Sequence, residues 1–256
     1  MFHLYPKNFS SQKSIELIRE QEQYFTTSFL FYLPLCQILL SFYSPSLRNS
    51  IKKVTFLWNV CLSLFSLIGA YYTVPFLLNC IQTENFESLL QNQNPMCEYR
   101  NIPSVSFWSA LFVYSKVPEF VDTFLYILKN GKQHIFLHWY HHLATAMYSY
   151  YMMSKGGHPQ GLWMVALNYT VHAFMYAYYA VMEITNRENS FRLFLIRNSW
   201  FITTLQTTQM FIMLVVLIYA GNLQGYYDWI GIQMYCIYAI LFSKLFLEKY
   251  ITKKQD

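Results

Sequence analysis

Residues 161–184 read G-L-W-M-V-A-L-N-Y-T-V-H-A-F-M-Y-A-Y-Y-A-V-M-E-I, with Glu183 as the one charge and with Asn168 and His172 near the centre. The hydrocarbon core of a bilayer is about 30 Å thick and takes about 20 mostly apolar residues of helix. This stretch therefore reads as a membrane span. Working outward from it, six more stretches meet the same length: 24–43, 54–78, 105–128, 135–153, 199–219 and 229–248. The expected fold is an all-α membrane protein with seven transmembrane helices.

Composition agrees with that reading. Only 12% of the 256 residues are charged and 55% are hydrophobic, against roughly 25% charge in soluble domains. The net charge of +5 is scattered between apolar blocks, so the basic footprint of a nucleic-acid-binding protein is missing and no nucleic acid partner is expected. Cys36, Cys61, Cys80, Cys97 and Cys236 stand singly, with no C-x-x-C pair, which argues against a zinc module or a disulfide scaffold. Residues 1–23 lack the short apolar core and cleavage site of a signal peptide.

The connecting segments set the orientation. Eleven of the eighteen Lys and Arg, among them Lys129, Lys132, Arg187, Arg192 and Arg197, fall on one side, and five fall on the other. Excess cations mark the cytosolic side, so an odd number of spans puts the N-terminus in the lumen and the C-terminus in the cytosol. Asn8-Phe9-Ser10 is then an N-glycosylation acceptor on the lumenal side. The tail Lys253-Lys254-Gln255-Asp256 is similar to the dilysine address of endoplasmic-reticulum membrane proteins, which is read by a receptor and is not an anchor. The expected division is a lumenal segment 1–23, a seven-helix domain 24–250 and a cytosolic tail 251–256.

Ionisable residues inside a span cost roughly 2.5–3.5 kcal/mol each on insertion scales, and by default mark function. Span three carries Lys116, Glu119, Asp122 and Thr123 in K-V-P-E-F-V-D-T. Three-residue spacing sets the charges on one helical face, and Pro118 can open the helix there. Span four carries His138, His141 and His142 in H-W-Y-H-H, again on one face. Span five adds Asn168, His172, Tyr176 and Tyr179, and span six adds Thr203, Gln206 and Gln209 in T-T-L-Q-T-T-Q. At a rise of about 1.5 Å per residue, Asp122 and His141 lie about 9 Å from the cytosolic end, Gln206 about 10 Å and His172 about 18 Å. Overlapping depth on four helices describes one chamber opening toward the cytosol. Imidazoles there serve either metal ligation or acid–base and nucleophilic chemistry.

These four motifs, in this order over residues 116–209, resemble the ELO family of fatty-acid elongases, the membrane condensing enzymes of very-long-chain fatty-acid synthesis in the endoplasmic reticulum. The resemblance implies that helices two to seven form a closed six-helix barrel around an acyl tunnel. It also implies condensation of a long-chain acyl-CoA with malonyl-CoA to a 3-ketoacyl-CoA, with release of carbon dioxide and CoA. Trp139 in H-W-Y-H-H is similar to the branch that lengthens saturated and monounsaturated chains. His141 is the expected nucleophile, His172 acts beside it, and His138 and His142 position neighbours or relay protons. Asn168, Gln206 and Gln209 would stabilise an enolate, with Glu119, Asp122, Tyr176 and Tyr179 in support. Lys116, Lys129, Lys132, Arg187, Arg192 and Lys244 would meet the CoA phosphates.

No cofactor and no metal are expected. The expected partners are the bilayer, both CoA substrates and the ketoacyl reductase, dehydratase and enoyl reductase that complete an elongation cycle, and a homo-oligomer is left open. Three rival readings stand beside this one. A di-iron desaturase or hydroxylase needs about eight histidines in several boxes, where this chain has seven histidines and one box. A seven-span receptor or transporter leaves the polar cluster unexplained. A catalytically inactive elongase relative that binds lipid shares the motifs and differs only in turnover.

Overall fold

In a computed structural model of the chain, residues 4–7, 9–91, 98–186 and 188–252 are described. The expectations for Asn8, Arg187, Lys253 and Lys254 lie outside them. The elements in order are α1 (Ser11–Glu20), α2 (Glu22–Leu40), α3 (Arg48–Thr83), α4 (Phe86–Gln91), α5 (Pro103–Ser115), α6 (Phe120–Asn130), α7 (Phe136–Ser154), α8 (Pro159–Ile184), α9 (Ser190–Arg197), α10 (Trp200–Gln224) and α11 (Trp229–Phe246). Among the described residues there is no strand. Three helical stretches, Pro45–Thr83, Ser190–Gln224 and Trp229–Ile251, are long and apolar enough to cross a membrane by length and composition. Their outer faces carry exposed Leu57, Leu64, Phe211, Val215, Ile237 and Ile240, which water would not tolerate as a continuous band. The chain is a membrane protein.

Local chemistry explains the helix ends. Pro159 opens α8, where its missing N–H costs nothing. Asp228 caps α11 by accepting from Gly231 N at 3.0 Å, and Asn189 caps α9 by accepting from Arg192 N at 3.1 Å. Gly131 ends α6 at φ 65°, a left-handed turn that a side chain would strain.

One expectation needs correction here. The stretch 105–128 is not a single helix: α5 and α6 are separated at Lys116–Glu119. The break is tightly wound, with Phe120 N, Val121 N and Asp122 N each bonding the carbonyl three residues back, at 3.0, 2.9 and 3.1 Å. Pro118 is the cause, because it lacks a donor and its ring excludes the carbonyl of the preceding turn. The N-terminal segment also holds α1, capped by Ser10, whose Ile15 and Ile18 are buried against α5 and α7. Singly spaced cysteines did not preclude a disulfide, since Cys80 at the end of α3 is disulfide-bonded.

Packing follows small residues and aromatics. The most extensive pairing is α3 with α8, and Gly69 lets it form, for a Cβ there would lie 2.5 Å from the Tyr169 ring. Tyr169 is buried and donates to Trp108 O at 2.9 Å. Further contacts join α8 to α10, α10 to α11, α11 to α7, α7 to α5 and α6, and these to α3. Helix α2 lies outside that circuit, against α6 and α7.

Candidate active site

The circuit of helices surrounds a partly open cavity of about 350 Å³. His138, His141 and His142 from α7, Asn168, His172, Tyr176 and Tyr179 from α8, Asp122 from α6, and Gln206 and Gln209 from α10 all line it. The chamber expected from four polar spans therefore gathers in one place. Lys129 and Glu183, which are ion-paired, line its cation-rich end. Beyond Val171 and Met210 the interior is filled by Phe65, Trp108, Phe112, Tyr169 and Met213.

Two hydrogen-bond systems hold the walls. In the first, Lys116 Nζ donates to both oxygens of Glu119, at 2.7 and 2.9 Å, and to Asn168 Oδ1 at 3.2 Å. Asn168 Nδ2 lies 3.2 Å from His172 Nε2. In the second, Asp122 accepts from Trp58 Nε1 at 2.6 Å and from the Tyr176 hydroxyl at 2.6 Å, with His142 Nε2 at 3.9 Å. Buried carboxylates survive only when partnered in this way. His138 Nε2 lies 3.1 Å from Thr123 Oγ1, which Tyr32 also bonds at 2.7 Å.

His141 differs from its neighbours. Its backbone carbonyl accepts from Tyr238 at 3.2 Å, but its imidazole has no hydrogen-bond partner among the described residues and packs beside Tyr238 and Phe242. The His142 ring makes no hydrogen bond either, but its Nε2 stands 3.9 Å from Asp122 Oδ2 and His138 reaches Thr123, so among the described residues the His141 ring is the one in the box with neither a hydrogen bond nor a carboxylate within 4 Å. Among the described residues no cysteine lines the cavity, and no three His, Cys, Asp or Glu side chains converge where a metal ion could be held.

The cations expected at CoA divide. Lys129 lines the cavity, but Lys116 is 3% exposed, locked to Glu119 and Asn168, and absent from the lining. Arg192 is turned onto the carbonyls of Met182 and Thr185. Lys244 sits on the outer surface opposite Glu248, and Lys132 is exposed and outside the lining. Glu119 stands behind the wall, while Gln206 lines it and reaches Met175 Sδ at 3.1 Å.

Three lining residues, Thr55, Trp58 and Asn59, come from α3, whose stretch 54–78 is expected as a span but supplies no expected site residue. Asn59, a buried amide in the apolar run 54–78, was the available signal. Outside the spans, burial and the nearby Lys129 and Lys132 push His134 down to about 4, and its ring stacks on His138 at 3.7 Å.

An apolar helical bundle with a histidine chamber buried in its middle defines a membrane enzyme rather than a receptor. The sequence matches the family described as GNS1/SUR4 (ELO) over residues 17–256. It is 32% identical over 265 residues to the very long chain fatty acid elongase 6 of Gallus gallus, covering 97% of this chain and 92% of that one. The human protein of the same name is 32% identical over 266 residues with the same coverage. Long chain fatty acid elongase 2 of Caenorhabditis elegans is 37% identical over 210 residues, which is 77% of this chain and 72% of that one. The chain belongs to the ELO family of fatty acid elongases.

Proposed function

We propose that the chain condenses a long-chain acyl-CoA, saturated or monounsaturated, with malonyl-CoA in the cavity, and that His141 is the nucleophile. An imidazole nitrogen of His141 attacks the thioester carbonyl, CoA leaves as the thiol, and an acyl-imidazole forms. Malonyl-CoA then loses carbon dioxide, and its C2 carbanion attacks the acyl carbon. The C–N bond breaks, His141 is regenerated and a 3-ketoacyl-CoA departs. Exclusion of water once both substrates fill the cavity would protect the carbanion from protonation. The observation that carries this reading is the unengaged imidazole of His141 in a cavity shared with His172 and lined by no cysteine among the described residues.

Asn168, Gln206 and Gln209, amides that line the cavity, would stabilise the enolate, with Tyr176 and Tyr179 on the same cavity in support. Lys129, which lines the cavity, would draw CoA phosphates, with exposed Lys132 three residues further along the chain adding positive charge. The acyl chain would enter the region packed by Phe65, Trp108 and Phe112 by displacing side chains.

The same proposal reads seven spans, with α5 and α6 as one broken span, and a six-helix barrel from the second to the seventh. The contact circuit of α3, α8, α10, α11, α7 and the α5–α6 pair supports it. It places the protein in the endoplasmic reticulum with the N-terminus lumenal and the C-terminus cytosolic. The disulfide at Cys80 supports that orientation, because it falls on the predicted lumenal side, where an oxidising compartment keeps disulfides. No metal or cofactor takes part in the chemistry, and the reductases and dehydratase of the cycle act on the product.

The test is elongation by purified protein, with labelled malonyl-CoA and saturated acyl-CoAs of increasing length, in the presence of chelator and alongside His141→Ala. Labelled 3-ketoacyl-CoA that depends on His141 is the expected result. Equal product from His141→Ala would overturn the assignment.

A further inference from the structure

We propose that Lys116 is a positioning residue: acting through Asn168, it holds His172 as the tautomer protonated on Nδ1, so that His172 meets substrate as a hydrogen-bond donor and not as a base. The proposal rests on the reading of the cavity as the condensing site and assigns roles within it.

The argument is one of donors and acceptors. The Lys116 ammonium has three N–H donors and no lone pair. Two reach Glu119 Oε1 and Oε2, at 2.7 and 2.9 Å, and one reaches the side-chain amide of Asn168 at 3.2 Å. Only the oxygen of that amide can accept, so Oδ1 faces Lys116 and Nδ2 is turned the other way. Nδ2 lies 3.2 Å from His172 Nε2. An amide nitrogen donates and has nothing to offer a second N–H. Nε2 must therefore be the bare, accepting nitrogen, and the neutral ring carries its proton on Nδ1.

Every link runs in one direction. Ser115 Oγ lies 2.9 Å from Glu119 Oε1 and 2.8 Å from Phe112 O, and its single proton is shared between these two acceptors. Lys116, Glu119, Asn168 and His172 are each less than a tenth exposed, so bulk water competes little for these bonds. Without Lys116 the amide could turn over, offer Oδ1 to the ring, and move the proton to Nε2. Lys116 does not line the cavity, so it acts only through this chain. The result is a division of labour: His141 keeps a lone pair for attack, while His172 presents an N–H to the oxygen on which charge develops.

The test uses full-length protein with 15N-labelled histidine in detergent, with His172 assigned by comparison with His172→Gln. The expected signal is a protonated Nδ1 and a bare Nε2. Asn168→Asp keeps the shape and the contact with Lys116 but offers only acceptors, so the proton should move to Nε2. Loss of a pre-set donor should lower kcat by about 10²–10³-fold, with KM for acyl-CoA changing by less than about threefold, since the effect is confined to the transition state. A Lys116→Met/Glu119→Gln double variant removes the anchor without leaving a lone buried charge, and should give a mixture of tautomers with a smaller loss of kcat. A wild-type His172 protonated on Nε2, or an Asn168→Asp protein with unchanged kcat, overturns the proposal. Failure of the wild-type protein to condense any acyl-CoA sinks the reaction assigned to the cavity instead, and the nitrogen shifts still report the tautomer independently.

Discussion

The Tyr176 hydroxyl lies 2.6 Å from Asp122 Oδ2 and so ties α8 to α6 across the cavity wall. Trp58 reaches the other carboxylate oxygen at 2.6 Å and brings α3 into the same knot. Three helices thus depend on one buried carboxylate. Asp122→Ala should destabilise the protein by about 2–6 kcal/mol, because the buried Tyr176 hydroxyl and the half-buried Trp58 indole each lose their acceptor at about 1–3 kcal/mol. Asp122→Asn keeps one carbonyl oxygen and should cost about 1–3 kcal/mol. Thermal unfolding in detergent measures both, and equal midpoints for wild type and Asp122→Ala would show that the knot carries no stability.

His141→Ala should lower condensation by at least about a hundredfold while leaving the unfolding midpoint close to wild type, because its ring has no hydrogen bond to lose among the described residues. Mass spectrometry of protein quenched with acyl-CoA alone should find the acyl group on His141. Acylation of another residue would move the nucleophile elsewhere.

Gly69 faces the Tyr169 ring, where an added Cβ would lie 2.5 Å from carbon atoms of a buried side chain. Gly69→Ala should cost about 1–3 kcal/mol through overpacking, and Gly69→Val more. A midpoint unchanged by Gly69→Val would mean that α3 and α8 can separate freely.

Acid sensitivity should arise at His134. Burial, Lys129 and Lys132 hold it down to about 4, and its Nδ1 accepts from Ile135 N at 3.0 Å, a bond that protonation would remove. The unfolded chain takes up that proton near the ordinary histidine value of about 6.5, and the folded one refuses it. This contribution is complete above about pH 6.5 and is lost as pH falls toward 4, by about 2 kcal/mol at pH 5. His134→Gln should flatten the decline in unfolding midpoint between pH 7 and pH 5. An unaltered decline would assign the acid sensitivity to other groups.

Helix positions were legible from hydropathy because a span must bury its backbone in itself, and so α2, α3, α7, α8, α10 and α11 fall on the expected stretches. The cluster was legible because polar groups inside spans need one another. Pairing was not. Lys116 reads in sequence as one more cation for CoA, and its engagement with Asn168 depends on how α8 packs beside the break between α5 and α6. Trp58 was hidden because tryptophan is unremarkable in an apolar run, and its indole N–H matters only once Asp122 is opposite. Helix α1 escaped because its two buried isoleucines are too few to announce a packed face.

The break at Lys116–Glu119 has an electrostatic consequence. It places two helix ends inside the bundle, where a continuous helix would have none. Helix α5 ends at Lys116, its C-cap, while α6 begins at Glu119, its N-cap, with Asp122 in the first turn. Aligned peptide dipoles leave partial negative charge toward a helix C-terminus and partial positive charge toward an N-terminus. The cation therefore stands at the negative end and both carboxylates at the positive one. The interrupted backbone supplies part of the solvation that water gives elsewhere, and Pro118, which carries no charge, allows this membrane protein to keep three charges in its interior.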